Sequence, residues 1–249
     1  MLAIIGGSGL TQLANLEVMR RQIVRTPYGE PSGPLTFGHL AGGEVAFLAR
    51  HGYGHTLAPH EINYRANLWA LREKGITRIL AVCTVGGIAP GLGAGKLAVP
   101  DQIIDYTWGR KSTFFEGAEQ PVVHVDFTHP YCETTRRMLI DSAADAGVEV
   151  VPRATYAASQ GPRLETAAEI DRMERDGADL VGMTGMPEAA LARELGIPYA
   201  ALALVANPAA GRGTSAQAIS LDEISRVLRE TMDRVRQVVA KVVERHGHP

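Results

Sequence analysis

The sequence is poor in cysteine, in aromatic residues and in net charge. Its 249 residues include two cysteines, Cys83 and Cys132, which are far apart and form no CxxC motif. Such sparse usage indicates reduced thiols in a cytoplasmic protein rather than a disulfide framework. The net charge of −2 gives no electrostatic basis for binding nucleic acid or an anionic membrane. Any phosphate group must therefore be bound by a few local donors.

Long apolar runs are missing as well. No uninterrupted apolar stretch approaches the roughly 18 residues of a membrane-spanning helix. Met1 leads directly into a short apolar run, without the basic start of a signal peptide. Since 45% of the residues are hydrophobic, the chain can still bury a full core. We therefore expect a soluble, cytoplasmic protein.

Strand-like and helix-like segments alternate along the whole chain. Strands are predicted at residues 2–5, 35–40, 44–49, 78–83, 102–106, 148–158, 179–183 and 199–206, and helices at 59–74, 131–146, 165–175, 187–195 and 220–242. Glycines between the second and third strands indicate a hairpin, and residues 108–120 lack any periodicity. The alternation predicts one α/β domain over residues 1–249, with a central mixed β-sheet flanked by helices.

A glycine-rich turn follows the first strand. Gly6-Gly7-Ser8-Gly9 can present backbone N–H groups and a hydroxyl to an anion, although a simple tight turn has the same composition. It is not a Walker loop, because no Gly-Lys-Ser/Thr follows. Nor is it a dinucleotide fingerprint, because the third glycine of GxGxxG is missing.

Arg50 and His51 end another predicted strand. They pair a planar two-pronged donor with an imidazole, which suits a phosphate oxyanion, while a surface arginine beside a backbone-bonded histidine is the alternative. His51, His55 and His60 do not indicate a zinc site, because glycines interrupt the helix that would align them and no cysteine or carboxylate completes the set. We expect no metal.

Further polar residues lie near the ends of predicted strands. Thr184 offers a hydroxyl where a strand meets a helix. Asn207 is also typical of a turn, and Glu165 is also typical of a carboxylate in the first turn of a helix. Open α/β sheets gather their ligands at strand ends. One cleft is therefore predicted from five such positions: Ser8, Arg50, Thr84, Thr184 and Asn207.

Longer stretches resemble the trimeric purine nucleoside phosphorylase and methylthioadenosine phosphorylase family, from residue 2 to about 240. The matching stretches are IIGGSGL at 4–10, RHG at 50–52, NYRANLWAL at 63–71, GPR at 161–163 and VGMTGMPE at 181–188. The resemblance implies a homotrimer that acts on a small-molecule nucleoside. It also implies inorganic phosphate as co-substrate and no metal or organic cofactor.

The resemblance assigns roles to individual residues. Phosphate attacks C1′ of the ribose as the purine leaves, and its charge stabilises an oxocarbenium-like transition state. No side chain acts as a covalent nucleophile. The ribose lies on Met183, and phosphate is bound by Ser8, Arg50, His51, the backbone around Thr84 and the hydroxyl of Thr184.

Two positions imply a 6-oxopurine base. Asn207-Pro208-Ala209 stands where the methylthioadenosine branch has an aspartate pair, and an amide offers both a donor and an acceptor to N7 and O6. Glu165 would accept from the base N1–H, which adenine lacks. Asn207 and Glu165 are thus the expected catalytic contacts to the base, with Ala209 beside them.

The 5′ end of the sugar is expected to meet Leu221, near the start of the last helix. A leucine there buries a methylthio group and leaves a hydroxyl unpaired, so Leu221 and Glu165 would set specificity. The expected substrate is 5′-methylthioinosine, giving hypoxanthine and 5-methylthioribose 1-phosphate in purine salvage. Leu164 departs from the family, whose members usually place an aromatic ring over the purine.

Four alternatives stay open from the sequence. The chain could be an inosine and guanosine phosphorylase with a permissive 5′ pocket, or a methylthioadenosine phosphorylase that tolerates Asn207. It could also hydrolyse its nucleoside instead of using phosphate. A non-catalytic purine-binding sensor on the same scaffold is the alternative outside enzymes.

Overall fold

One mixed β-sheet runs through the part of the chain that the computed structural model describes, residues 1–117 and 121–246. Its ten strands are β1 (Leu2–Gly6), β2 (Glu17–Gln22), β3 (Leu35–Leu40), β4 (Gly43–Ala49), β5 (Arg78–Gly87), β6 (Leu97–Ala98), β7 (Gln102–Asp105), β8 (Thr155–Ala158), β9 (Leu180–Gly182) and β10 (Tyr199–Pro208). They follow the order β2-β3-β4-β1-β5-β9-β8-β7, and β10 pairs with β5 and β6. The predicted α/β class and the β3–β4 hairpin are confirmed.

Helices cover both faces of this sheet. The described residues contain α1 (Tyr64–Glu73), α2 (Glu133–Asp145), α3 (Ala167–Arg175), α4 (Gly185–Glu194) and α5 (Leu221–His246). Successive residues of a strand point to opposite faces. Ile5 accordingly packs in one core with residues of α1 and α4, and Ile4 in another with residues of α2 and α5. Among these helices none combines the length and apolarity needed to cross a membrane.

The strand expected over residues 148–158 is wrong in its first half. Only β8, the last four residues, forms a strand, while Val151 makes an isolated bridge to Ala98. Pro152 interrupts the segment, and a proline has no N–H to donate to a neighbouring strand. Residues 108–117 are irregular, as expected, and residues 118–120 and 247–249 lie outside the described part of the chain.

Two further differences have local causes. β2 escapes prediction because five of its six residues are exposed, so it lacks the apolar alternation that marks a strand. α1 starts at Tyr64 rather than at residue 59, because Asn63 caps it by accepting a hydrogen bond from the N–H of Ala66 at 3.0 Å.

The carboxyl ends of the strands are staggered, and this stagger forms the site. β1 and β4 stop at Gly6 and Ala49, whereas β5 and β10 continue as a parallel pair. Thr84 and Asn207 therefore lie within strands, not after them as the sequence predicts. The pairing shifts register between Val205 and Asn207, and such a bulge re-aims the side chains beside it.

Candidate active site

A cavity of about 210 Å³ lies where β1 and β4 end and β5 and β10 continue. Turns after the short strands form its rim, and the longer strand pair forms its floor. The structure brings nine of the predicted site residues to this one cavity: Ser8, Arg50, His51, Thr84, Glu165, Met183, Thr184, Asn207 and Ala209. Leu164 lines it too, and Leu221 does not.

Hydroxyl groups gather at one end of the cavity. The Thr84 hydroxyl donates to the Ser8 carbonyl at 2.9 Å and so fixes the glycine-rich turn on β5. Thr184 precedes α4, but its side chain makes no capping hydrogen bond to that helix. The Ser8 Oγ lies 3.4 Å from Nε2 of His55. The Ser8 and Thr184 hydroxyls are therefore placed to donate to a ligand.

Arg50 is fully buried beside these hydroxyls and pairs with an acid that the sequence analysis missed. Its Nε and Nη2 bind the two oxygens of Glu188 at 2.6 and 2.8 Å, and Nη1 donates to the Val82 carbonyl at 3.0 Å. Burial would lower the pKa of Arg50, but the Glu188 carboxylate raises it well above its usual value. Glu188 therefore occupies the two-pronged edge that the sequence analysis expected to face phosphate.

Glu188 had one recognisable signal in the sequence. It stands in the first turn of α4 among Met186, Pro187 and Ala189, which are all buried. An acid in such surroundings requires a cation and hydrogen bonds. Its partners are Arg50 and the hydroxyl of Tyr199, which donates to Oε1 at 2.8 Å.

His51 is neutral at physiological pH. Its Nδ1 lies 2.8 Å from the Leu57 carbonyl, and since a carbonyl can only accept, Nδ1 carries the hydrogen. Burial lowers the pKa of His51 to about 4, and the charge of Arg50 acts in the same direction. Nε2 is then left as an acceptor. The Arg50–Glu188 pair and neutral His51 together bring no net positive charge to this end.

Glu165 also lines the cavity. α3 begins at Ala167 behind Thr166, which forms a capping box with Glu169, so the first-turn interpretation of Glu165 is wrong. Instead, the Ser159 hydroxyl donates to Glu165 Oε1 at 2.5 Å. The carboxylate is thereby held at the cavity with its second oxygen available to a ligand.

Asn207 faces the same region from β10. Its Nδ2 donates to the Pro208 carbonyl at 2.6 Å, which orients the amide. One Nδ2 hydrogen and the Oδ1 acceptor are left for a ligand. Leu164, which is 40% exposed, supplies an aliphatic wall where the family usually places an aromatic ring.

The apolar wall near α5 differs from the prediction. Leu221 is 68% exposed and lies outside the cavity, whereas Ile219, Ile224 and Leu228 line it. Side chains on a helix tilt towards its N-terminus. Because Leu221 is the first residue of α5, its side chain extends beyond the cavity, and the residues one and two turns later face it.

Comparison with known proteins gives this site a family context. The chain matches the phosphorylase superfamily over residues 1–244. It is 54% identical over 241 residues, 97% of each chain, to a Pseudomonas syringae protein named "Probable S-methyl-5'-thioinosine phosphorylase". A Xanthomonas campestris protein of that name is 59% identical over 223 residues, 90% of this chain and 89% of the relative.

Other relatives extend the comparison. The "6-oxopurine nucleoside phosphorylase" of Pyrococcus furiosus is 46% identical over 247 residues, 97% of this chain and 91% of the relative. Among solved structures, methylthioadenosine phosphorylase from Schistosoma mansoni in complex with adenine has a TM-score of 0.93 at 32% identity, covering 97% of this chain and 90% of that chain. The Schistosoma mansoni structure shares the fold described above.

Replacing Glu188 by alanine should strongly destabilise the protein, because it leaves the Arg50 charge buried without a partner. We expect the free energy of unfolding to fall by about 3–5 kcal/mol, and by less for Glu188→Gln, which keeps an acceptor. Urea unfolding measures the change. Glu230→Ala is the control, because Glu230 pairs with Arg226 at 2.8 Å on the surface. Its loss in free energy of unfolding should be under about 1 kcal/mol. Equal losses for Glu188→Ala and Glu230→Ala would contradict the assignment.

His51 should make stability depend on pH. Its pKa falls from 6.5 in the unfolded chain to about 4 in the folded protein. As the pH falls, the unfolded chain therefore takes up a proton on His51 before the folded protein does. The contribution of His51 to the free energy of unfolding is fully present above pH 6.5 and is lost as the pH falls towards 4. Urea unfolding between pH 4.5 and 7.5 should show a steeper loss for the wild type than for His51→Gln, which does not titrate. Parallel curves would contradict a neutral, buried His51.

Proposed function

Because the chain belongs to the phosphorylase superfamily and is an enzyme of the nucleoside phosphorylase type, we propose that it cleaves 5′-methylthioinosine with inorganic phosphate. The products are hypoxanthine and 5-methylthioribose 1-phosphate. The observation that carries the proposal is the cavity itself, whose lining combines hydroxyl groups, the Glu165 carboxylate with the Asn207 amide, and an apolar wall near α5.

Phosphate binds at the hydroxyl end through hydrogen bonds rather than through net charge. The Ser8 and Thr184 hydroxyls donate to its oxygens, together with backbone N–H groups around Thr84. Arg50 donates the Nη1 hydrogen that is not bound to the Val82 carbonyl, since its Nε and Nη2 are bound to Glu188. The Nε2 lone pair of His51 accepts the P–OH hydrogen of hydrogenphosphate. The phosphate therefore keeps its negative charge available for the reacting sugar.

The reaction then needs no covalent enzyme intermediate. With the ribose on Met183, a phosphate oxygen forms a bond to C1′ while the C1′–N9 bond breaks and its electron pair passes to the purine. Positive charge develops on the sugar ring beside the bound phosphate, which stabilises it. The proposal includes no metal or organic cofactor, since phosphate is itself the nucleophile.

The base end favours a 6-oxopurine. The second oxygen of Glu165 accepts from N1–H of hypoxanthine, whereas adenine would leave this oxygen without a partner. As the base leaves, the purine anion takes up a proton at N7 from solvent, and Asn207 donates its remaining Nδ2 hydrogen to O6 and accepts the new N7–H at Oδ1. The similarity to relatives named for S-methyl-5'-thioinosine and 6-oxopurine nucleosides supports this choice.

The wall of Ile219, Ile224 and Leu228 favours a 5′-methylthio group over a 5′-hydroxyl. Burying a methylthio group against aliphatic carbon is favourable, and a hydroxyl there would lose its hydrogen bonds to water.

The proposal extends to assembly and location. One domain over residues 1–249 forms a homotrimer in the cytoplasm, and the two free cysteines support that location.

The proposal is tested by measuring kcat/KM for 5′-methylthioinosine, inosine and methylthioadenosine, with and without phosphate. We expect methylthioinosine to be cleaved fastest, with formation of the sugar 1-phosphate, and no base release without phosphate. Faster cleavage of methylthioadenosine would indicate that Asn207 and Glu165 do not select the base. Base release in the absence of phosphate would indicate hydrolysis.

Ile224→His should shift preference from 5′-methylthio towards 5′-hydroxyl nucleosides, because it puts a hydrogen-bonding group into the apolar wall. The ratio of kcat/KM for methylthioinosine to that for inosine should fall about tenfold, equivalent to about 1.4 kcal/mol. Leu221→His is the matched control, since Leu221 lies outside the cavity. If the ratio falls in Leu221→His and not in Ile224→His, the wall is wrongly assigned.

A further inference from the structure

Arg110 lies in the irregular segment between β7 and α2, and its guanidinium joins two segments that follow neighbouring strands. The base-binding loop is residues 159–166 after β8, and the ribose-binding loop is residues 183–186, which run from β9 into the start of α4. Nη1 donates to the carbonyls of Met183 at 2.8 Å and Met186 at 2.6 Å. Nη2 donates to the carbonyl of Gln160 at 2.8 Å and, more weakly, to that of Ser159 at 3.3 Å. One side chain therefore binds main-chain atoms of both segments.

The two loops carry different parts of the proposed chemistry. Ser159 donates its hydroxyl to Glu165, the residue expected to recognise the base. Met183 and Thr184 belong to the ribose and phosphate parts. The strands that lead into the loops are joined directly, by the N–H of Ser159 donating to the Gly182 carbonyl at 2.8 Å. Beyond that bond, Arg110 continues the connection.

Resting on the proposed function, we propose that Arg110 is a positioning residue that sets the distance between the base-binding and ribose-binding loops. Arginine suits this task because its planar donors are held in a fixed fork, whereas a lysine ammonium cannot span both loops in one plane. The ring of Tyr64 covers the guanidinium, with Cζ 5.7 Å from the ring centroid. Nη1 also donates to the Tyr64 hydroxyl at 3.4 Å, and the other four oxygen partners are main-chain carbonyls, so Arg110 orders backbone rather than another charge.

This arrangement predicts a specific effect on base selection. When Arg110 is lost, the loop with Glu165 is no longer held at its distance from the loop with Met183. A base held through Glu165 then no longer aligns C1′ with the phosphate, and misalignment of this kind lowers the rate steeply. Methylthioadenosine, which cannot use the Glu165 carboxylate through N1–H, depends less on that loop. Discrimination between 6-oxo and 6-amino nucleosides should therefore shrink.

The experiment compares Arg110→Met and Arg110→Lys with wild type, using kcat/KM for methylthioinosine and methylthioadenosine. We expect the ratio of the two values to fall about tenfold in both variants. Combining Arg110→Met with Glu165→Gln should give no further fall, because both changes remove the same contact. Lys111→Met is the control: Lys111 is the next residue, 69% exposed, and its ratio should equal that of wild type.

The outcomes separate this inference from the proposed function. If wild type fails to cleave methylthioinosine, the proposed function is wrong. If wild type cleaves it and the folded Arg110 variants keep the wild-type ratio while losing activity equally on both nucleosides, Arg110 has only a general structural role and the inference is overturned. Thermal unfolding establishes folding, and Arg110→Lys decides the matter if Arg110→Met does not fold.

Discussion

The buried ion pair between Arg50 and Glu188 is the interaction on which the site depends. Arg50 follows β4, Glu188 lies in α4, and both side chains have zero exposure. Neither charge could stay in that environment alone, because an unpaired buried ion costs several kcal/mol. The pair therefore joins the turn after β4 to the first turn of α4, the two segments that also carry His51 and Thr184.

The same pair governs the electrostatics of the cavity. Glu188 neutralises Arg50, and burial keeps His51 uncharged. In the proposed reaction, a phosphate dianion meets oriented N–H and O–H groups instead of excess positive charge. In the proposed reaction, its own charge remains available to the oxocarbenium-like sugar, which a strongly cationic pocket would diminish. Fixed donors also require little reorganisation when the reaction occurs.

The residues proposed to select the substrate do not contact the ion pair. Glu165 and Asn207 are each oriented by a neighbouring group, the Ser159 hydroxyl and the Pro208 carbonyl. The aliphatic wall near α5 requires only apolar surface. Arg110 binds the backbone of the base-binding loop and of the ribose-binding loop, and in the proposed reaction base recognition and ribose placement therefore depend on each other.

The sequence by itself determined the α/β class, the β3–β4 hairpin, the family and nine of the residues that line the cavity, because these follow from periodicity and from short contiguous motifs. Only the tertiary structure decided the partners of those residues. Arg50 and Glu188 are separated by 138 positions, and Arg110 and Met183 by 73, so no local pattern connects them. The structure likewise shows that Ile224 and Leu228, and not Leu221, line the cavity near α5. The direction of a side chain at the start of a helix depends on how that helix packs.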